Sequence, residues 1–236
     1  MNTLKFGLIF LTVASLGLSL GSCKKKGCID QSASNYNSKA KKDDGSCTYK
    51  PIITLVGQNP ATVTVGATYV DGGATANAKG VPVDVTTDLS QVNTASAGSF
   101  VVNYTATNQH GTATASRTVN VVLAQSSYLG DYSQTNDCSA TEFPLAGNAT
   151  VAAGTNSNEV IIQSAFTLVG GEIRLIIDGS NITIPNQSVS ITFGTIEISG
   201  SGTMNATGTE MTLNFNYDNT TPLIGGQGSC SATYSK

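Results

Sequence analysis

The hydrophobic and polar positions of this chain follow two different patterns. Residues 6–20 are almost wholly apolar, whereas the chain beyond residue 50 contains short runs in which apolar and polar residues alternate. In residues 210–217 the alternation is strict, and Val83 and Val85 enclose Asp84 in the same way. A period of two places neighbouring side chains on opposite faces of a β-strand, one buried and one solvated. The pattern therefore predicts an apolar leader followed by an all-β structure.

Residues 51–123 are predicted to form the first of two β-domains. Its β-like runs are residues 52–56, 62–65, 81–85, 100–104 and 118–122. Turn-forming sequences such as Asp71-Gly72-Gly73 and His110-Gly111 separate them. Short strands at this density predict an immunoglobulin-like β-sandwich, here without the cysteine pair and the core Trp of an antibody domain.

Residues 128–236 are predicted to form the second β-domain, after a brief linker at residues 124–127. Its β-like runs are residues 159–163, 172–178, 181–184, 189–193, 195–199, 210–217 and 230–234. About eight strands of this kind form an antiparallel meander, which closes either as a sandwich or as a small barrel. The prediction leaves both topologies open.

The composition supports this fold class and excludes others. Charged residues make up 11% of the chain, apolar residues make up 39%, and Trp is absent. This apolar content is too high for a disordered chain, and abundant Thr, Ser and Asn suit strands with uncharged polar faces. From residue 128 onward two basic residues stand against nine acidic ones, a balance of −7. Such a domain repels phosphate backbones, so nucleic acid is not an expected partner.

The apolar leader ends in the sequence L-G-S-C, whose cysteine is Cys23. The leader is shorter than the roughly 20 residues of a membrane-spanning helix and has the length of a signal-peptide core. The sequence resembles the lipobox of bacterial lipoproteins, in which two small residues precede the modified cysteine. The resemblance implies that residues 1–22 are a signal peptide and that acyl chains such as palmitate on Cys23 anchor the protein in a lipid membrane.

Residues 23–27 are then a lipidated anchor with a basic spacer. Lys24 rather than Asp follows Cys23, so the inner-membrane retention signal of lipoproteins is missing, and the resemblance implies the outer membrane of the cell envelope. The spacer also lacks the acids of surface-export tags, which leaves a surface-exposed and a periplasm-facing position both open. Its lysines can favour anionic lipid headgroups or simply solubilise a tether.

Four cysteines remain once Cys23 is assigned to lipid, and four cysteines allow three pairings. Local organisation favours Cys28–Cys47, which brackets a turn-rich segment, and Cys138–Cys230, which brackets the second β-domain. An exported compartment permits both disulfides. In the chain-entropy model the first bond stabilises the fold by about 3 kcal/mol and the second by about 4–5 kcal/mol.

Residues 28–49 are rich in side-chain oxygens and have almost no apolar core. They resemble the short C-x-D-x-x-A-x-N-Y-N-x-x-A-x-x-D-D-G-S-C-x-Y repeats of bacterial surface proteins, which are similar to fragments of calcium-binding thrombospondin type 3 repeats. The resemblance implies a Ca²⁺ site, and no cofactor is required otherwise. The implied ligands are Asp30, Asn35, Asn37, Asp43 and Asp44. The same residues also suit Asx turns without a metal.

Two further resemblances cover the β-domains. The segments P-I-I-T-L-V-G, V-G-A-T-Y-V-D-G-G-A-T-A and G-S-F-V-V-N-Y-T-A-T-N resemble bacterial immunoglobulin-like domains of surface proteins and pesticidal crystal proteins. Such domains act as spacers or adhesive modules, so the resemblance implies no catalysis. The Y-L-G-D-Y that opens at Tyr128 and the G-S-G-T at Gly200 resemble lipocalin-like domains that end many bacterial lipoproteins, and they imply no known activity.

The sequence contains no motif for catalysis. His110 is the only histidine and falls in a predicted turn, and the G-x-S-x-G, H-E-x-x-H, P-loop and G-x-G-x-x-G motifs are missing. A glycoside hydrolase needs only two carboxylates, but Glu172, Glu197 and Glu210 fall in strands whose polar positions normally face solvent. Because no Trp can stack on a sugar, we expect that the protein is not an enzyme.

These observations predict a non-catalytic, membrane-anchored lipoprotein of the cell envelope that acts as a surface binding or adhesion module. The expected partners are the lipid membrane, through Cys23, and a glycan or protein ligand of unknown identity. A barrel interior rich in aromatic and polar groups would support a small ligand or glycan. Two alternatives stay open, namely a structural subunit of an envelope complex and a carboxylate-based glycoside hydrolase.

Overall fold

The computed structural model describes residues 24–167, 170–191 and 194–236. The predicted signal peptide, residues 1–22, and the predicted lipidation site Cys23 lie outside these residues. The chain divides into a small unit that ends at Lys50 and a larger unit that begins at Pro51. The described residues are all-β, as predicted, and none of their helices is long and apolar enough to cross a membrane.

The small unit is closed by the disulfide Cys28–Cys47, whose Cα atoms lie 4.8 Å apart. Cys28, Ala33 and Ala40 are buried in it. An apolar core of this size cannot stabilise a fold by itself, so the cross-link and local hydrogen bonds define its conformation.

The larger unit begins with a sandwich of seven strands. They are β1 (Ile52–Leu55), β2 (Ala61–Thr64), β3 (Ala74–Ala78), β4 (Val81–Val83), β5 (Val85–Asp88), β6 (Gly98–Asn108) and β7 (Gly111–Val122). One sheet has the strand order β1-β3-β4 and the other has the order β2-β7-β6-β5. Buried Val102, Tyr104, Val119 and Val121 form the core of the sandwich. The predicted two-sheet architecture is therefore confirmed.

Two parts of the sandwich differ from the strands that the sequence pattern predicts. The run 81–85 is divided between two strands in different sheets, because the chain crosses from one sheet to the other at Asp84. The pattern also does not predict β3, because its residues A-T-A-N-A include one β-branched side chain and no aromatic one.

A buried ion pair joins the two sheets of the sandwich. The guanidinium group of Arg117 on β7 contacts the carboxylate of Asp71, and the Arg117 side chain is only 1% exposed. The same guanidinium group donates hydrogen bonds to the carbonyl of Val56, after β1, and at 3.0 Å to the carbonyl of Gly73, before β3. Removing either charge would leave the other without its counter-charge, so this contact couples the two sheets.

Asp71 lies at the centre of this network. The hydroxyls of Tyr104 and Tyr69 donate hydrogen bonds to its carboxylate at 2.7 and 2.9 Å, and the amide of Gly73 donates at 3.0 Å. Burial alone would raise the pKa of Asp71. The hydrogen bonds from Tyr104, Tyr69 and Gly73, together with the charge of Arg117, outweigh burial and hold this pKa below its usual value.

Replacing Asp71 by Asn keeps the shape of the side chain but leaves the buried Arg117 without a counter-charge. We expect the free energy of unfolding of the sandwich to fall by about 3–5 kcal/mol. Urea denaturation followed by tyrosine fluorescence would measure this loss. The exposed Asp84 gives a matched control, and Asp84→Asn should change the stability by less than about 0.5 kcal/mol.

The pH dependence of the same pair of proteins provides a second check. A depressed carboxyl pKa in the folded state contributes stability that is complete above the unfolded value of about 3.9 and is lost as pH falls through the folded value. The stability difference between the parent and Asp71→Asn should therefore be constant above about pH 5 and shrink at more acidic pH. A difference that stays the same at all pH values would contradict this assignment.

A closed barrel of eight antiparallel strands follows the short helix α1 (Gln125–Tyr128). Its strands are β8 (Gly130–Asn136), β9 (Asn148–Ala153), β10 (Glu159–Gln163), β11 (Ile173–Asp178), β12 (Asn181–Ile191), β13 (Gly194–Met204), β14 (Glu210–Asn219) and β15 (Gly226–Ser235). Each strand pairs with its neighbours in sequence, and β15 pairs with β8 to close the barrel. Of the two predicted topologies, the barrel is the one that forms.

Besides β13 and β15, which extend beyond the predicted runs 195–199 and 230–234, three strands of the barrel differ from the prediction. β12 is one continuous strand rather than the two predicted at 181–184 and 189–193, and its pairing with β13 shifts register between Ile184 and Gln187. The shift is a β-bulge, which interrupts the alternation that marks a single strand. The pattern does not predict β8 or β9, whose sequences G-D-Y-S-Q-T-N and N-A-T-V-A-A contain few large apolar residues.

The barrel interior is a packed apolar core. Among its buried side chains are Val160, Ile162, Ile173, Leu175, Ile182, Ile184, Ile196, Met211, Leu213 and Phe215. Phe143, from the loop between β8 and β9, stacks on Tyr217 with ring centroids 4.8 Å apart and meets Phe166 edge-on at 5.3 Å. The interior is therefore filled mainly by aliphatic side chains. It is not the aromatic and polar interior that would support a small ligand.

Gly200 and Gly202 allow β13 to lie close to β14. A Cβ atom on Gly200 would overlap the carbonyl of Asn214, and one on Gly202 would overlap the carbonyl of Thr212. The G-S-G-T segment is thus explained by the contact between two backbones.

The disulfide Cys138–Cys230 ties the segment after β8 to β15, with the two Cα atoms 4.9 Å apart. Beside it, the amide of Ser231 donates to the Asp137 carboxylate at 2.6 Å, and the amide of Asp137 donates to the Ser231 carbonyl at 3.1 Å. The disulfide therefore continues the β15–β8 ladder that closes the barrel.

Replacing both Cys138 and Cys230 by Ala should reduce the free energy of unfolding of the barrel by about 4–5 kcal/mol, because the unfolded chain loses a long cross-linked loop. The sandwich should stay folded, since its core residues form a cluster of their own. Thermal denaturation with hydrogen-exchange mass spectrometry would report each domain separately. Equal loss of protection in both domains, or parent-like stability of the barrel, would contradict the prediction.

Candidate functional site

Four of the five predicted calcium ligands take part in local turns of the small unit. Asp30 accepts a hydrogen bond from the amide of Ser32 at 2.9 Å. In the same way, Asn37 accepts from the amide of Lys39 at 3.1 Å. Asp43 accepts from the amide of Gly45 at 3.1 Å, and Asp44 accepts from the amide of Ser46 at 3.0 Å. These are Asx turns, in which a side-chain oxygen bonds the amide two residues on.

Asn35 has a different role, since it links two parts of the small unit. Its amide nitrogen donates to the carbonyl of Ser46 at 2.6 Å, and its oxygen accepts from the amide of Thr48 at 2.9 Å. Each of the five residues thus has a side-chain oxygen in a hydrogen bond within the small unit, and calcium binding stays a prediction.

Among the described residues, a close group of three His, Cys, Asp or Glu ligand atoms occurs at Asp137, Cys138 and Cys230. Both of these sulfurs are joined in the disulfide. A disulfide sulfur is not the thiolate that binds a metal, so the group is explained by the cross-link.

The three predicted carboxylates lie apart from one another, but one of them faces a further acid. Glu172, Glu197 and Glu210 are all exposed, just before β11, on β13 and at the start of β14. Glu197 lies directly opposite Asp218 of β14 in the strand register. His110 occupies the predicted turn between β6 and β7, away from the barrel strands that carry these acids.

Glu197 and Asp218 line a polar groove on the wall of the barrel formed by β12 to β15. Its polar lining residues are Asn186, Glu197, Ser199, Asn216, Asp218 and Gln227. Asn186 lies at the β12 bulge, where a bulge re-aims side chains and bends the strand. The amide of Gln227 donates to the Asp218 carboxylate at 2.9 Å and so orients it.

The groove presents hydrogen-bonding side chains and negative charge to a ligand. Two carboxylates directly opposite each other repel, and the lining residues within the described chain include no Lys or Arg to neutralise them. Tyr217 also borders the groove, but its ring stacks on Phe143 in the core and its hydroxyl donates to Glu142 at 3.0 Å. The groove therefore offers acceptors and amides to a ligand, without an exposed aromatic platform.

The sequence pattern predicts only part of this groove. The alternation in residues 210–217 places Asn216 on the solvent face together with Glu210, and continuing it adds Asp218. The opposition of Asp218 to Glu197 depends on the pairing register of two strands, which the pattern does not contain.

Comparison with known proteins identifies the first β-domain. Residues 53–121 match the family described as bacterial surface protein, Ig-like domain. The sandwich is an immunoglobulin-like domain. The match covers the Ig-like domain from β1 to β7, and the small unit and the barrel lie outside it.

Other comparisons add little. The crystal structure of a lipoprotein from Bacteroides thetaiotaomicron is similar over 79% of this chain and 100% of that chain, with 16% sequence identity and a TM-score of 0.29. A likeness at this TM-score supports no conclusion about function. Among curated proteins, none matches the chain in sequence. The thrombospondin type 3-like and lipocalin-like resemblances stay predictions.

Proposed function

We propose that the protein is a non-catalytic lipoprotein of the bacterial cell envelope, held on the outer membrane by lipid on Cys23 and acting as a binding or adhesion module. The similarity of residues 53–121 to the Ig-like domain of bacterial surface proteins carries this proposal. The lipobox-like L-G-S-C sequence supports the anchor. The Ig-like domain then acts as the spacer between the anchor and the barrel.

The ligand of this proposal is rich in hydroxyl groups, as a glycan is, and binds in the groove of Glu197 and Asp218. Carboxylates and side-chain amides are suited to hydroxyl groups because they accept and donate hydrogen bonds in fixed directions. The packed interior of the barrel supports an external site of this kind, because its space is taken by apolar side chains. No catalytic role is assigned to the two carboxylates.

The structural-subunit alternative has one observation in its favour. The turn between β14 and β15 presents Pro222, Leu223 and Ile224 to solvent, and Leu223 is fully exposed with a positive φ of 74°. A left-handed backbone is costly for leucine, and an exposed apolar tip is suited to a pocket on another protein.

The hydrolase alternative has the pair of Glu197 and Asp218 in one groove as its minimal requirement.

The anchor is tested with Cys23→Ser, which removes the thiol that would be acylated. We expect the parent to incorporate labelled palmitate and to sediment with membranes, and Cys23→Ser to lose both properties. Cys28→Ser/Cys47→Ser is the matched control, because it replaces two other cysteines, which are joined in a disulfide, and should keep the label. A parent protein without label would contradict the anchor.

Orientation follows from protease treatment of intact cells. Loss of the barrel without lysis would support the surface-exposed adhesion module. Full protection would favour the periplasm-facing structural subunit instead.

The groove is tested by a glycan-array screen followed by calorimetric titration of the best ligand. Glu197→Gln and Asn216→Ala each remove a hydrogen-bonding group, so we expect each variant to bind at least about tenfold more weakly. The exposed Glu172, outside the groove, provides the control Glu172→Gln, which should bind like the parent.

The glycan found in the screen also tests where the ligand binds and whether the protein cleaves it. Parent-like binding by Glu197→Gln would exclude the groove as the ligand site. Release of new reducing ends from the bound glycan, abolished in Glu197→Gln, would favour the hydrolase over the binding module.

A further inference from the structure

Charge is segregated along the chain. Residues 24–50 contain seven lysines and three aspartates, a net charge of +4, whereas residues 51–236 contain four basic and twelve acidic residues, a net charge of −8. A negatively charged surface therefore attracts the small unit and repels the rest of the chain.

The small unit folds so that lysines from two segments lie side by side. The amide of Gly27 donates to the carbonyl of Lys42 at 3.1 Å, and the amide of Lys41 donates to the carbonyl of Lys25 at 2.8 Å. Lys26 and Lys42 form a parallel β-bridge. The segment next to the anchor position is thus paired with a second lysine-rich segment.

The paired segments carry five exposed lysines, which we call the lysine cluster. Its members are Lys24, Lys25, Lys26, Lys41 and Lys42. The disulfide Cys28–Cys47 and the hydrogen bond from the amide of Asn37 to the carbonyl of Cys28, at 2.9 Å, constrain the chain between the two segments. The cluster is therefore a property of the fold and not of a flexible tether.

Two carboxylates adjoin the lysine cluster without neutralising it. Asp43 and Asp44 follow Lys42 directly, and their side chains accept hydrogen bonds from the amides of Gly45 and Ser46. Hydrogen bonds from the side chain and the amide of Ser46, with the charge of Lys26, hold the pKa of Asp44 below its usual value. Five positive charges against two negative ones leave the cluster strongly basic.

We propose that the lysine cluster docks on the anionic phosphate headgroups of the membrane that holds Cys23. This inference rests on the proposed function for the anchor, since Lys24 follows the acylated residue directly and the cluster is thereby placed within reach of the headgroups. Ammonium groups are point charges suited to phosphate. A basic patch beside a lipid chain is the second signal that makes membrane binding firm.

The fold changes the strength of this contact. Each lysine near an anionic surface strengthens binding by about fivefold. In an unfolded small unit, Lys41 and Lys42 would lie away from the three lysines of the spacer. The fold brings all five lysines together. The folded cluster should thus bind about 30-fold more tightly than the spacer lysines alone.

The test uses residues 23–236 with Cys23→Ser, so that no lipid contributes. Binding is measured by co-sedimentation with phosphatidylcholine vesicles that contain or lack phosphatidylglycerol. We expect binding to the anionic vesicles only, and loss of that binding near 0.5 M salt, because the Debye length falls from about 10 Å at 0.1 M to about 4 Å at 0.5 M. Lys41→Gln/Lys42→Gln should weaken binding by about 30-fold.

Two further variants separate geometry from charge. Lys79→Gln/Arg174→Gln removes two positive charges outside the small unit and should bind like the parent. Cys28→Ser/Cys47→Ser keeps every charge but opens the loop, and it should bind more weakly, as Lys41→Gln/Lys42→Gln does. Equal binding by the parent and either Lys41→Gln/Lys42→Gln or Cys28→Ser/Cys47→Ser would overturn the proposal, as would equal binding of the parent to neutral and anionic vesicles.

Failure of this inference is distinguishable from failure of the proposed anchor. Palmitate labelling reports on Cys23 alone, whereas the vesicle assay uses a chain without lipid. If the parent is labelled with palmitate but its unlipidated form does not bind anionic vesicles, the lipid anchor is supported and docking by the lysine cluster is excluded.

Discussion

The C-terminal barrel depends on one strand pairing, that of β15 with β8. The ladder from Ala232 to Ser235 joins the last strand of the chain to the first strand of the barrel. Without it both strands would be open sheet edges, and the apolar side chains of the interior would face water. The Cys138–Cys230 bond continues the closure just beyond the ladder. The wall that carries the polar groove keeps its curvature only while this closure holds, so the candidate site is a consequence of long-range pairing.

Much of this fold can be predicted from sequence, for reasons that particular segments make clear. β14 begins where its alternating pattern begins, at Glu210, because one of its faces is buried, and β10 has the bounds of its predicted apolar run. The four cysteines left after Cys23 pair within compact segments. β3, β8 and β9 escape prediction because their residues are small or polar and their position comes from neighbouring strands. The candidate site is less predictable still, since the meeting of Glu197 and Asp218 requires a pairing register.

Charge and architecture divide the protein into parts with different physical roles. The small unit has little core and is defined by a disulfide and Asx turns, so its surface can consist almost wholly of polar and charged groups. The barrel places its apolar residues inside and presents amides, hydroxyls and acids outside. The Ig-like domain between them in sequence has its own buried network around Asp71.

The order of strands in the Ig-like domain has a mechanical consequence. β2, near its beginning, and β7, at its end, run parallel and are hydrogen-bonded to each other from Ala61–Val119 to Thr64–Val122. A pull that draws the two ends of the domain apart acts along these strands in opposite directions. The hydrogen bonds of the ladder are then loaded together in shear rather than opened one after another. Tension across the domain would be carried through this ladder, with Arg117 on β7 resisting separation of the two sheets.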